Sequence, residues 1–255
     1  MYCTFIKKKT LIITLSLFLV AVLSLIVLSG SGTYAVFYGG NLRKLPIYYV
    51  KTGEKKVALT FDCAWGTDYT DKLLEIMENE KVVSTFFTVE FWARKYPDYL
   101  KKIDEKGHEI GTHSSTHPYM SKLGKGAIEK ELTTSCDAIE SVINKKVKVF
   151  RAPYGDYDDL LIDTAKELDL FTIQWDVDSL DWKNLTSAEI QKRVLNKVKN
   201  GSIVLFHNQG LHTAEALLPI IKELKSRGFE FTTVSQLIYK DNYQMSVDGG
   251  QEKCN

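Results

Sequence analysis

Cysteine is sparse and scattered: Cys3, Cys63, Cys136 and Cys254 lie far apart, with no CxxC pair among them. That spacing argues against a zinc finger and offers no disulfide framework. An excess of one charge is missing too. The net charge is +1, so the chain carries no basic footprint for nucleic acid. No strand-like run is followed by a GxGxxG or GKS/T loop, which counts against a nucleotide phosphate site. No internal repeat breaks the sequence into units.

Charged residues are absent altogether between Lys9 and Arg43. Inside that gap lies "TLIITLSLFLVAVLSLIVLS", preceded by Lys7, Lys8 and Lys9. Twenty such residues rise about 30 Å as a helix, enough for a bilayer core. A buried core helix of this length would normally keep a polar face, and this one has none. The leading lysines predict the N-terminus inside and the rest of the chain outside. The run exceeds the usual signal-peptide core, so a retained single-pass anchor is expected. Cleavage near the small residues of "SGSGTYA" is the alternative.

From Val57 the chain alternates. Short β-rich runs ("VALTF", "VSTFFTV", "HEIGT", "KVFR", "LFTIQW", "SIVLF", "FEFTTV") are separated by amphipathic stretches. These stretches fall at Tyr69–Glu80, Phe91–Lys106, Gly126–Asn144, Tyr157–Leu168, Ser187–Asn200 and Thr213–Arg227. Such alternation predicts parallel βαβ units, in an open doubly wound sheet or a closed (β/α) barrel. The expected organisation is a cytosolic stub and membrane segment (1–29), a Gly-rich linker (30–54), one α/β domain (55–240) and a loose polar tail (241–255).

In parallel α/β folds the working residues sit at the carboxyl ends of strands. "ALTFD" ends in Asp62, "HEIGT" runs into His113 and His117, and "VKVFR" ends in Arg151 before "APYG". "FTIQWDVDSLDW" delivers Asp176, Asp178, Asp181 and Trp182, and "SIVLFHN" ends in His207. Chance would put an ionisable group at one or two such ends, not at five. His113 and His117 are spaced as a metal pair, though on a helix the same i,i+4 spacing arises without function. Arg151 follows apolar residues, so in a barrel interior it needs a paired charge. Trp65, Trp175 and Trp182 read as core packing before sugar platforms.

In order, "TFDCAW", "HSSTH", "RAPYG", "DVDSLDW" and "LFHN" resemble the five motifs of the polysaccharide deacetylases with a NodB-homology domain. The match runs from about Lys55 to Tyr239. "FDCAWG" and "GHEIGTHSSTHP" are similar to a membrane-anchored, sporulation-associated subgroup of spore formers. The resemblance implies a distorted (β/α)7 barrel and metal-dependent N-deacetylation of sugars in a cell-wall polysaccharide such as peptidoglycan. It implies Asp62 as catalytic base oriented by Arg151, and His207 as general acid kept protonated by Asp181. It also implies the Tyr154 N–H as oxyanion donor, and Trp182 and Leu205 around the acetyl methyl. A divalent metal, zinc by preference, would sit on His113 and His117. The family's second motif-one aspartate is replaced by Cys63, which leaves the third ligand open between Cys63, Asp68 and Asp62. The same replacement keeps open an inactive barrel that only binds glycan.

Overall fold

The computed structural model describes residues 15–20 and 43–254. The chain forms two units, Met1–Arg43 and Lys44–Asn255. In the first, residues 15–20 are helical; the rest of the expected membrane segment and most of the expected linker lie outside the described residues. Among the described residues no helix is long and apolar enough to cross a membrane.

The second unit is built on strands β1 (Tyr49–Val50), β2 (Lys56–Cys63), β3 (Thr85–Thr88), β4 (Glu109–Thr112), β5 (Val149–Phe150), β6 (Phe171–Thr172), β7 (Val177–Asp178), β8 (Ser202–His207), β9 (Glu230–Phe231), β10 (Tyr243–Met245) and β11 (Gly250–Lys253). Strands β2 to β6 are parallel neighbours in sequence order, and β7 and β8 join them parallel through β8 beside β2. No pairing links β6 to β7, and an isolated bridge between Ile47 and Ile173 lies at that seam. The result is a curled, barrel-like sheet.

Helices α1 (Thr70–Asn79), α2 (Glu90–Lys95), α3 (Pro97–Glu105), α4 (Lys125–Ile143), α5 (Asp159–Glu167), α6 (Ser187–Leu195), α7 (Thr213–Ser226) and α8 (Val234–Leu237) complete the unit. The single helix expected over 91–106 is two. Pro97 drives Tyr96 out of helical geometry (φ −129°, ψ 55°) and starts the second helix at its own first position.

Strand β2 shows how the layers arise. Val57, Leu59, Phe61 and Cys63 belong to the large apolar cluster that also contains the helix residues Leu73, Trp92 and Leu217. Ala58 belongs to the second cluster, with Phe87, Val149, Ile173 and Leu237. The two-residue period of a strand therefore sends Thr60 and Asp62 to the second face and Cys63 to the first. Gly111 serves the same interior: a Cβ there would lie 2.7 Å from the Phe87 ring.

The tail is not loose. Strand β11 pairs with β1 in parallel and with β10 antiparallel, and Tyr49 donates to Asp248 at 2.6 Å. The domain therefore extends past Lys240 and begins before Lys55. Gln251, fully buried, accepts from Tyr239 N (2.7 Å) and donates to Tyr239 O (2.6 Å), so one side-chain amide serves both backbone polar groups of that residue. Replacing Gln251 with Ala strips both partners at once. Gln251→Ala is expected to cost about 2 kcal/mol in urea unfolding. An unchanged midpoint would mean that the tail is dispensable.

Candidate active site

Asp62 is the penultimate residue of β2 and His207 closes β8, and the two are register partners across the β2–β8 pair. In-register neighbours on parallel strands carry their side chains on one face. The two groups therefore start side by side at one mouth of the sheet.

Each is held by a buried partner. Arg151, fully buried, donates from Nη1 to Asp62 Oδ1 at 2.7 Å and from Nη2 to Gln174 O at 3.1 Å. Its guanidinium lies 4.2 Å from the Phe87 ring centroid and 5.5 Å from that of Trp175. Burial alone would raise the pKa of Asp62, but the guanidinium charge of Arg151, its hydrogen bond and the neighbouring His113 and His207 rings outweigh it and hold the carboxyl below its ordinary value. On the other side, Asp181 is fully buried. Its Oδ1 lies 2.7 Å from His207 Nδ1, while Oδ2 accepts from His207 N (2.8 Å) and Thr213 Oγ1 (2.6 Å). Burial would lower the pKa of His207; its hydrogen bond to Asp181 and that carboxylate's charge raise it overall. Asp178 is not the partner: it accepts from Leu180 N and shapes the turn.

His113 and His117 lie in a loop, not on a helix. Ser114 and His117 take left-handed φ values of 72° and 60°, which folds the loop back and brings the two rings to 5.0 Å between centroids. Glu131 of α4 fastens the loop, accepting from Ser115 N (2.9 Å), Thr116 N (2.8 Å) and Thr116 Oγ1 (2.7 Å). Nothing in the sequence pattern singled out that residue. His113 Nδ1 donates to Arg151 O at 2.8 Å, which leaves Nε2 as the basic nitrogen, 3.6 Å from Asp62 Oδ2. Burial pushes His113 down to about 4 and lowers His117 as well, so both rings are neutral at pH 7.

Neutral imidazoles with one nitrogen fixed by a carbonyl suit a metal. The third donor does not. Cys63 is fully buried in the cluster shared by sheet and helices, and its Sγ contacts Phe61 O at 3.8 Å. Burial, followed by the charge of Asp62, pushes its thiol well above the ordinary value. The expectation of Cys63 as a ligand is thus corrected: strand parity turns it away from the histidines. Of the other two candidates, Asp68 is bonded to Gln209, and Asp62 is held by Arg151 with its Oδ2 3.6 Å from His113 Nε2. Among the described residues, no group of three His, Cys, Asp or Glu side chains is arranged to hold a metal. The residues present do not fit a three-ligand metal site.

The remaining expected residues converge. A pocket of about 610 Å³ is lined by Asp62, His113, His117, Tyr154, Trp182, Leu205 and His207, together with Trp65 and Trp175. Tyr154 takes φ 61° inside the "PYG" turn. Trp65, expected in the core, is 66% exposed. Asn208 holds its loop, donating from Nδ2 to Gly66 O (3.0 Å) and Thr70 Oγ1 (3.2 Å); an aspartate could donate to neither.

Residues 49–173 match the family model for polysaccharide deacetylase. A peptidoglycan-N-acetylglucosamine deacetylase of Bacillus cereus is 34% identical over 194 residues, covering 74% of this chain and 91% of its own length. The protein YlxY of Bacillus subtilis is 38% identical over 198 residues, 78% of this chain; the match spans only 62% of that relative's length. The structure of BA3943, a CE4 family pseudoenzyme from Bacillus anthracis, superposes with a TM-score of 0.73 at 32% identity, covering 82% of this chain and 73% of that one. A mutant of it described as having restored enzymatic activity matches equally well, at 34% identity. With its motifs in order, its curled α/β sheet and a relative covered over most of its length, this chain belongs to the polysaccharide deacetylase family, hydrolases of carbon–nitrogen bonds.

Proposed function

We propose that this protein removes acetyl groups from N-acetylated sugars of a cell-wall polysaccharide, with peptidoglycan as substrate. One observation carries the reading: an ionised carboxylate and an imidazole of raised pKa stand as register partners at the mouth of one pocket. Amide hydrolysis needs a base for the attacking water and an acid for the departing amine. Asp62 takes the water's proton as its oxygen adds to the acetyl carbonyl, and Arg151 keeps that carboxylate oriented and ionised. The Tyr154 N–H faces the oxyanion. His207, protonated through Asp181, gives its proton to the sugar nitrogen as the carbon–nitrogen bond breaks and acetate leaves. Leu205 and Trp182 enclose the methyl group. The zinc that family resemblance suggested finds two imidazoles and no third ligand, so no step is assigned to it.

A second reading has its own support: a barrel that binds glycan without turning it over. It is favoured by the inward-packed Cys63 and by the likeness to a protein described as a pseudoenzyme. For place, the lysines before the uncharged run support a domain anchored on the outer side of the membrane, where wall glycan lies. The "FDCAWG" likeness supports work in the envelope of a spore former.

His207 tests the acid directly. Its ring is expected to titrate above the ordinary value near 6.5 by NMR, and below it in Asp181→Asn. Because the folded pKa is raised, the pair stabilises the fold fully below pH ~6.5, and that contribution is lost as pH rises through the pKa of His207. A titration unmoved by Asp181→Asn would remove Asp181 from the mechanism.

Cys63→Asp separates the two readings. A carboxylate is costly among apolar side chains, so it is expected to turn toward His113 and His117, to give zinc binding measurable by calorimetry, and to raise deacetylation of N-acetylglucosamine oligomers at least tenfold over a slow wild type. A lower melting temperature with no zinc bound would mean that residue 63 stays in the core. A wild type already as fast as the variant would refute the need for that ligand.

Topology is checked on intact protoplasts. Added protease is expected to degrade the domain, and full protection would place it on the wrong side for a wall substrate.

A further inference from the structure

Asp181 is fully buried, and a buried carboxylate is tolerated only when its oxygens are paired. Oδ1 lies 2.7 Å from Nδ1 of the His207 ring. Oδ2 has two donors, His207 N at 2.8 Å and the hydroxyl of Thr213 at 2.6 Å. Thr213 is itself fully buried and is the first residue of α7, so its hydroxyl is carried by a 14-residue helix rather than by a loop.

The chain from His207 to Thr213 is shaped to make that contact. Gly210 N donates to His207 O at 3.2 Å and Thr213 N to Gly210 O at 3.1 Å, two tight turns that bring the start of α7 back to Asp181. Gly210 is not among the residues of left-handed φ, so backbone freedom does not call for glycine there. Space does. A Cβ at Gly210 would lie 2.0 Å from Thr213 Oγ1 and 2.8 Å from Asp181 Oδ2, inside the hydrogen bond itself. Even an alanine would displace the hydroxyl or the carboxylate.

A donor on a carboxylate stabilises the bare anion more than the ion pair, because in the pair the imidazolium already offsets the charge. The Thr213 hydroxyl thus works against the pull of Asp181 on the His207 proton while holding that carboxylate in place. Burial opposes charge on His207; the bond to Asp181 and its charge, then the charges of Asp62 from β2 and Asp178 from the end of β7, outweigh it. His117, from the loop after β4, is the other titratable group within reach, and no lysine or arginine lines the pocket. Three carboxylates therefore pull on one proton, and Thr213 moderates the one bonded to the ring. That balance suits an acid, which delivers its proton best when its pKa lies near the working pH.

We propose that Thr213, given room by Gly210, is a positioning residue for the acid: its hydroxyl pins Asp181 Oδ2 so that Oδ1 faces His207, and draws off enough of the carboxylate's charge for His207 to release its proton. The inference rests on the reading of His207 as the acid and adds to it the group that tempers its strength.

The full-length chain, in a zwitterionic detergent and isotope-labelled at its histidine rings, is titrated by NMR; His207→Gln identifies the resonance by its absence. Thr213→Val, which keeps the shape and removes the donor, is expected to raise the His207 midpoint by about half to one pH unit. Thr213→Ser, which keeps the hydroxyl, is expected to leave it in place. Gly210→Ala should raise the midpoint as Thr213→Val does, and combining the two should add nothing, because both break one bond. The ring is read directly, so the outcome needs no turnover. A midpoint that stays or falls in Thr213→Val, or that rises equally in Thr213→Ser, would overturn the role of the hydroxyl, since lost packing lowers stability without raising this midpoint. Gly210→Ala carries the same decision if circular dichroism shows Thr213→Val unfolded. A midpoint that Asp181→Asn fails to lower would remove the acid reading as well; one that responds to Asp181→Asn but not to Thr213→Val would remove this inference alone.

Discussion

The site depends on a buried guanidinium. Arg151 has no access to solvent, and its stem enters the interior from the end of β5. An unpaired charge there would cost several kcal/mol. Asp62 supplies the counter-charge, Gln174 O a second acceptor, and the faces of Phe87 and Trp175 the remaining contact. The same bond that makes Arg151 tolerable keeps Asp62 ionised and turned so that Oδ2 stays available. Gly111 belongs to this arrangement, since a side chain there would displace the Phe87 ring on which the guanidinium rests. Further out, the Arg151 carbonyl holds His113 by its Nδ1 and so chooses that ring's tautomer. One residue thereby sets the charge of Asp62 and the orientation of the neighbouring imidazole.

Much of this was legible in the sequence for a geometric reason. Parallel strands deliver their last residues to one rim, so an ionisable group directly after an apolar run has few places to go. Asp62, His113, Arg151 and His207 all followed that rule. What the pattern left open was decided by backbone turns. The run from β7 onward delivers both Asp178 and Asp181, and the left-handed Leu180 (φ 54°) turns the chain between them, sending one to a turn amide and the other beneath His207. Trp65 looked like core because tryptophan usually is. Its exposure comes from Asn208, far away in sequence, gripping the carbonyls beside it. The tail misled for another reason: β10 and β11 are polar strands joined to β1 through their backbones and through Gln251, and such pairing leaves little hydrophobic pattern to read.

The place of Cys63 follows from parity. Successive strand residues face opposite sides, so a regular β2 that aims Asp62 at the pocket must aim residue 63 at the helices. A ligand at that position requires the strand to twist out of alternation at its last residue, and a bond to a metal is what would hold it there. A thiol has no such need. It is small, apolar when protonated and compatible with the cluster around Val89 and Trp92. An aspartate without a metal would stand next to the negative Asp62 and among apolar side chains, where both neighbours oppose its charge. Cysteine at this position removes that conflict, and with it the third anchor of a metal site. The Asp62–Arg151 and His207–Asp181 pairs contain no atom of residue 63, so the acid–base half of the site keeps its geometry independently of the metal half. On the proposed reading these two pairs supply proton transfer beside a bound sugar, with Asp62 as the group that activates water.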